Sequence, residues 1–183
     1  MSGRCSHEEA VRRSQVIDRL AAFDPRVVGT LPLGVAVADS DIDIVCHAVD
    51  PIGFARTLWW HFSGADGFAL WQWTGKGRPV VARFEVFGWP FEIFGSAEPV
   101  EEQAAWRHFV VERRLLALGG APLRRDVMAL RMAGHKTEPA FAKALGLAGS
   151  DPYVAMLILH DLSDSQLAAL LNDAPAGRED QTA

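Results

Sequence analysis

A chain of 183 residues with 49% hydrophobic content is long enough to bury one substantial core and short for two. Its formal charge of −5 argues against the broad basic surface that extended nucleic-acid binding requires, and its two cysteines, Cys5 and Cys46, exclude a disulfide framework and a cysteine-built zinc site. The first residues lack the apolar run of a signal peptide and no stretch reaches the length of a membrane span, so the sequence predicts a cytoplasmic protein without membrane partners.

In chain order, Ser6-His7-Glu8-Glu9 has capping-box spacing and opens a helix to about Ala22, with Val11, Ile17 and Leu20 near its buried face. Asp24-Pro25 ends it. Arg26 to Gly29 reads as a short strand entering a glycine turn, and Asp41 to Val49 as a second strand. Asp50-Pro51 is an N-cap and first-turn pair for a helix through Phe54, Leu58 and Trp59, ending near Ser63-Gly64. Three strand-like runs follow, Phe68 to Trp73, Val80 to Phe87 and Phe91 to Phe94, separated by Gly75-Lys76-Gly77-Arg78-Pro79 and by Gly88-Trp89-Pro90. From Glu98 the period becomes helical, first through Trp106, Phe109, Val110 and Leu116, then through Val127 and Leu130 after Gly119-Gly120-Ala121-Pro122. Thr137, Asp151-Pro152 and Ser163-x-x-Gln166 mark three further helix starts, and the polar tail over 173–183 reads as disordered. The order predicts an α+β fold: a mixed β-sheet with helices on one face, then a C-terminal helical cluster. Residues 1–118 would form the core domain and 119–172 the cluster packed on it.

The chemistry concentrates at Gly29-Thr30 and Ser40-Asp41-Ile42-Asp43. On a strand, Asp41 and Asp43 face one side while Ile42, Ile44 and Cys46 face the other, into a core. Two adjacent carboxylates require a counter-ion, and hard oxygen donors suit Mg²⁺ or Mn²⁺ better than zinc. Gly29 permits close approach of a ligand to the backbone, and the Thr30 hydroxyl with nearby N–H groups suits phosphate oxygens.

At these residues the chain resembles the nucleotidyltransferase superfamily that includes DNA polymerase beta. Its motif is a hydrophobic residue, Gly, then Gly or Ser, and roughly ten residues later Asp-x-Asp or Asp-x-Glu. Here it reads Val28-Gly29-Thr30, ten intervening residues, then Asp41-Ile42-Asp43, with Gly34 and Ser40 where small members carry a second Gly and a Ser. Phe91-Glu92-Ile93-Phe94-Gly95 is similar to the strand that supplies a third carboxylate. With Pro99-Val100-Glu101-Glu102-Gln103 and Lys136-Thr137-Glu138-Pro139-Ala140-Phe141, it resembles an uncharacterised group of minimal nucleotidyltransferase-like proteins, from about Val27 to Leu159. Thr30 in place of Ser keeps the hydroxyl, whereas Leu31-Pro32-Leu33 lacks the Arg that many active members place between the glycines.

The resemblance implies an enzyme that moves a nucleoside monophosphate from an NTP, with ATP the expected donor, to an unidentified acceptor hydroxyl or similar group, releasing pyrophosphate. Asp41, Asp43 and Glu92 would be the catalytic metal ligands, and Gly29, Thr30, Ser40 and Lys136 the nucleotide contacts. Glu85 competes with Glu92 as third acid but has Arg83 on its own strand face as an ion-pair partner. Lys136 precedes a helix start, where an ammonium and free N–H groups suit a β- or γ-phosphate. His108 and Glu112, four apart on a helix, read as a solvated face, and the six Trp residues as core. Two other functions remain open: a binding module of the same fold without turnover, and a metal-dependent phosphohydrolase releasing inorganic phosphate.

Overall fold

The computed structural model describes residues 4–75 and 77–173, so most of the tail expected to be disordered, 174–183, lies outside the described residues, as does Lys76 of the expected turn. Two compact units form, one from residues 4–32 and 39–106, the other from 33–38 and 107–173.

The first unit begins with α1 (His7–Ser14), whose N-cap Ser6 accepts from the Glu9 N–H. The single helix expected here is interrupted. Gln15 adopts a left-handed backbone (φ 55°), and the Ser14 hydroxyl bonds the Val11 carbonyl, so a separate short α2 (Val16–Arg19) follows. Five strands come next in the sequence: β1 (Arg26–Val28), β2 (Ile42–His47), β3 (Asp66–Gln72), β4 (Val80–Val86) and β5 (Trp89–Ser96). A single turn, α3 (Thr30–Leu33), starts between the first two, and α4 (Pro51–Phe62) lies between β2 and β3, capped by Asp50 through the Ile52 N–H. The sheet order is β1-β2-β5-β4-β3, with β2 and β5 parallel and every other pair antiparallel.

The sheet buries one face against helices. Ile42, Ile44 and Cys46 from β2, Phe91 and Ile93 from β5 and Ala82 and Phe84 from β4 join Phe54, Leu58 and Phe62 of α4 and Ala10, Val16 and Leu20 of α1 and its continuation. Phe62, Phe84 and Phe91 stack in sequence at 4.6 and 5.2 Å between ring centroids. Gly95 lets α4 approach, since a Cβ there would overlap the Phe54 ring. The expected layout of helices on one face of a mixed sheet is the observed one.

β5 is longer than the run Phe91 to Phe94. Pro90 belongs to it, paired with Glu85, but stands one residue before the ladder with β2 begins at Phe91. Between β4 and β5 lies a two-residue turn, Phe87-Gly88, with both residues at positive φ (54° and 74°), as a tight hairpin with matching twist requires.

The second unit is helical. Its longest run, α5 (Ala104–Met132), starts in the first unit and breaks at Gly120 (φ 57°, ψ −147°), just before Pro122, so it comprises the two helices expected on either side of Gly119-Gly120-Ala121-Pro122. It is followed by α6 (Thr137–Ala144), α7 (Pro152–His160) and α8 (Asp164–Asp173), each beginning at or within a residue of the start that the sequence marks. Ser163 and Gln166 form the reciprocal capping box before α8. Asp173, the first residue of the expected tail, ends that helix. Leu115, Val127, Phe141, Met156 and Leu167 supply the buried centre of this unit. No helix among the described residues is long and apolar enough to cross a membrane.

Candidate active site

The sheet face opposite α4 carries the polar chemistry. Alternation along β2 sends Asp43 away from Ile42 and Ile44, and the parallel register sets it beside Glu92 of β5, while the antiparallel register sets Glu92 beside Arg83 of β4. Asp43, Glu92 and Arg83 therefore form one row across three neighbouring strands. Asp41 lies just before β2, and its carboxylate reaches the same face. Arg83 joins the two acids: its Nε pairs with Glu92 Oε2 at 3.0 Å, and its Nη2 donates to Asp41 Oδ2 at 3.4 Å.

This pairing differs from the expected one, in which Arg83 pairs with Glu85. The two share a strand face, but cross-strand register puts Glu92 directly opposite Arg83, whereas Glu85 stands opposite Asp66 and Pro90 and is exposed. Counting back from a two-residue turn at Phe87-Gly88 gives that partner, a signal available in the sequence. Among the described residues no three His, Cys, Asp or Glu side chains are gathered as a group able to hold one ion. Arg83 is engaged with two of the three expected ligands.

The glycine turn stands at the edge of this row. Val28 pairs with Asp43, and the next residue, Gly29, has φ +79°; a Cβ built on it would overlap Asp43 Oδ2. Only glycine allows both the left-handed backbone and the approach to the carboxylate. Thr30 and Ser40 are buried, and the Thr30 hydroxyl donates to Ser40 Oγ at 3.2 Å, tying the start of the loop to the residue before Asp41. Lys136 belongs to the second unit, where it is exposed at the N-cap of α6. Cys46 lies on the opposite face from the carboxylates, with burial, then the Asp24 charge, pushing its thiol up to about 12, so it supplies no thiolate.

His108 and Glu112 correct another expectation. They are not a solvated face but 7% and 3% exposed, on the same stripe of α5 as Val111 and Leu115. The His108 Nδ1 stands 3.3 Å from Glu138 Oε1 and its Nε2 3.0 Å from the Tyr153 carbonyl, so both ring nitrogens face acceptors. Glu112 Oε1 and Arg131 Nε are buried without a hydrogen-bond partner. Burial, reinforced by the charge of Glu138, pushes the Glu112 carboxyl well above the usual range; in Glu138 burial raises the carboxyl too, but the His108 hydrogen bond and further stabilising contacts outweigh it and the net shift is downward. Their spacing with Leu115 was the signal that this stripe faces inward. The tryptophans also depart from expectation: none is fully buried, and Trp60 of α4 is 83% exposed.

A family model described as "Domain of unknown function (DUF4269)" matches residues 9–159. No curated protein matches the chain significantly. Among solved structures, Cid1 poly(U) polymerase with MgGTP bound has a TM-score of 0.55 at 15% identity, covering 82% of this chain and 47% of that one. Cid1 in complex with the UTP analogue UMPNPP gives 0.52 at 16% identity, covering 82% and 46%. The GLD-2/RNP-8 complex gives 0.54 at 10% identity, covering 91% and 76%. The chain thus spans about half the length of the Cid1 chains it matches. At these identities the likeness concerns the fold, which is the nucleotidyltransferase-like fold expected from the sequence.

Proposed function

The chain belongs to the DUF4269 family, a domain of unknown function, and we propose that it is a metal-dependent nucleotidyltransferase that moves a nucleoside monophosphate from an NTP to an acceptor hydroxyl, releasing pyrophosphate. The observation that carries this reading is the placement of Asp43 beside Glu92 in the parallel register, with Asp41 reaching the same face and the Gly29 turn against Asp43. The match to poly(U) polymerase structures holding MgGTP and a UTP analogue supports it at the level of fold.

The donor set fits Mg²⁺ or Mn²⁺ by chemistry: three hard carboxylates, without a thiolate or imidazole, two on adjacent strands and one just ahead of β2. Asp41, Asp43 and Glu92 would hold the metal, which supplies charge neutralisation at the transferred phosphoryl group and a more acidic acceptor hydroxyl. The chain's own residues do the positioning. The strand ladder fixes Asp43 against Glu92, and the buried Thr30–Ser40 bond holds the loop that carries Asp41. Gly29 lets the Asp43 carboxylate lie against the backbone of the turn, in a place that any side chain would occupy. Phosphoryl transfer depends chiefly on such positioning and electrostatics, so losing one carboxylate should remove most activity while leaving the fold intact.

The test has two stages. Titration calorimetry with a non-hydrolysable NTP and Mg²⁺ should show metal-dependent binding in the parent and in Glu85→Gln, and its loss in Asp43→Asn and Glu92→Gln. Pyrophosphate release over a panel of hydroxyl acceptors then reads turnover. Loss in Glu85→Gln with retention in Glu92→Gln would move the site to another strand. Release of inorganic phosphate in place of pyrophosphate would replace the transferase with a hydrolase.

A further inference from the structure

We propose that Arg83 is the resident counter-ion of the carboxylate face, which a divalent cation has to displace in order to bind, and that Arg83 thereby sets the metal affinity of the site. The inference rests on the assignment of Asp41, Asp43 and Glu92 as metal ligands and adds a residue that this assignment does not contain.

The guanidinium does on this face what a divalent ion would do. It bridges carboxylates from two different segments, Glu92 of β5 at 3.0 Å and Asp41 ahead of β2 at 3.4 Å. Both contacts place the guanidinium charge on carboxylate oxygens that a metal would also take. Arg83 and a metal shared by Asp41 and Glu92 therefore compete. The register makes the competition intrinsic to the fold, because Arg83 is directly opposite Glu92 in the β4–β5 ladder.

Displacement is inexpensive. The Arg83 side chain is 57% exposed and its partners are 31% and 36% exposed, so the released guanidinium returns to water without a large desolvation change. A single positive charge across two half-exposed pairs is a weak competitor for a doubly charged ion and a sufficient one in its absence. The carboxylates are thus held in register with no metal bound, and the affinity for the bare ion is lower than the three acids alone would give.

The experiment is a titration of the full chain with Mn²⁺ and no nucleotide, following the electron paramagnetic resonance signal of the free ion, for the parent, Arg83→Gln, Arg83→Lys and Asp43→Asn. Two exposed pairs at ordinary strength predict that Arg83→Gln binds Mn²⁺ about 3- to 30-fold more tightly than the parent. Arg83→Lys keeps the charge but cannot span both acids in a fork, so it falls between the two and provides the second reading if the Gln variant does not fold. Asp43→Asn should lose binding. Unchanged or weaker affinity in Arg83→Gln or Arg83→Lys, with Asp43→Asn losing binding, overturns the counter-ion role and leaves the site standing. Equal Mn²⁺ binding by Asp43→Asn and the parent, or none by the parent and both Arg83 variants, overturns the site and the inference together.

Discussion

Replacing Glu112 with Gln should make the protein more stable at neutral pH and leave it nearly unchanged in acid. Glu112 is 3% exposed, its Oε1 has no hydrogen-bond partner, and burial and the nearby Glu138 hold its carboxyl in the protonated form well above the usual range. In the unfolded chain the same carboxyl ionises near its ordinary value of about 4.3. Above that pH the native state binds more protons at this position than the unfolded state, so stability falls as pH rises, until the folded group itself ionises. The slope from this one group is about 1.4 kcal/mol per pH unit. Glutamine keeps the neutral shape and removes the titration, so the stability difference between variant and parent should open at about that slope as pH rises above the ordinary carboxylate range, until the folded group ionises. Urea melts of both proteins at several pH values measure it, and taking the difference cancels every other titrating group. A difference that stays constant with pH, or one that favours the parent increasingly as pH rises, would refute the reasoning and show that Glu112 is ionised and paired in the native state.

Gly29→Ala should cost about 1–2 kcal/mol from the left-handed backbone alone and more from the displaced Asp43 carboxylate, with metal-dependent nucleotide binding lost alongside; calorimetry with a thermal melt checks both. Gly95→Ala should destabilise by about 1–3 kcal/mol, because the added methyl meets the Phe54 ring in a packed core, and a denaturant midpoint equal to the parent's would contradict that packing.

The carboxylate face was largely legible in the sequence because its signals are local. Alternation alone places Asp43 opposite Ile42 and Ile44, and Ile42, Ile44 and Cys46 are in the core as expected. The glycine at position 29 follows from the same motif, and its φ of +79° gives a reason no other residue fits. What escaped depends on tertiary partners. Arg83 has an acid two residues away on its own strand, and its partner Glu92 follows only once the register set by the Phe87-Gly88 turn is counted back. His108 and Glu112 carry polar side chains on a stripe that α5 turns inward, where composition suggested water. Pro90 looked like a break because proline donates no ladder hydrogen bond, yet it falls just outside the segment of β5 that β2 flanks.

The Phe87-Gly88 turn has a bearing on which length changes this chain tolerates. Side chains alternate along a strand, so the parity of the turn decides whether residue 83 shares a face with Glu92 or with the Phe84–Phe91 stack. One inserted residue that moved β4 by a single step would carry Arg83 toward the aromatic core and bring Phe84 out among the acids. The segment between β3 and β4 has no such authority, since β4 and β5 keep their mutual pairing whatever joins β3 to them. Length variation among related chains is therefore expected to accumulate around residues 73–79 and to spare the two residues at 87 and 88.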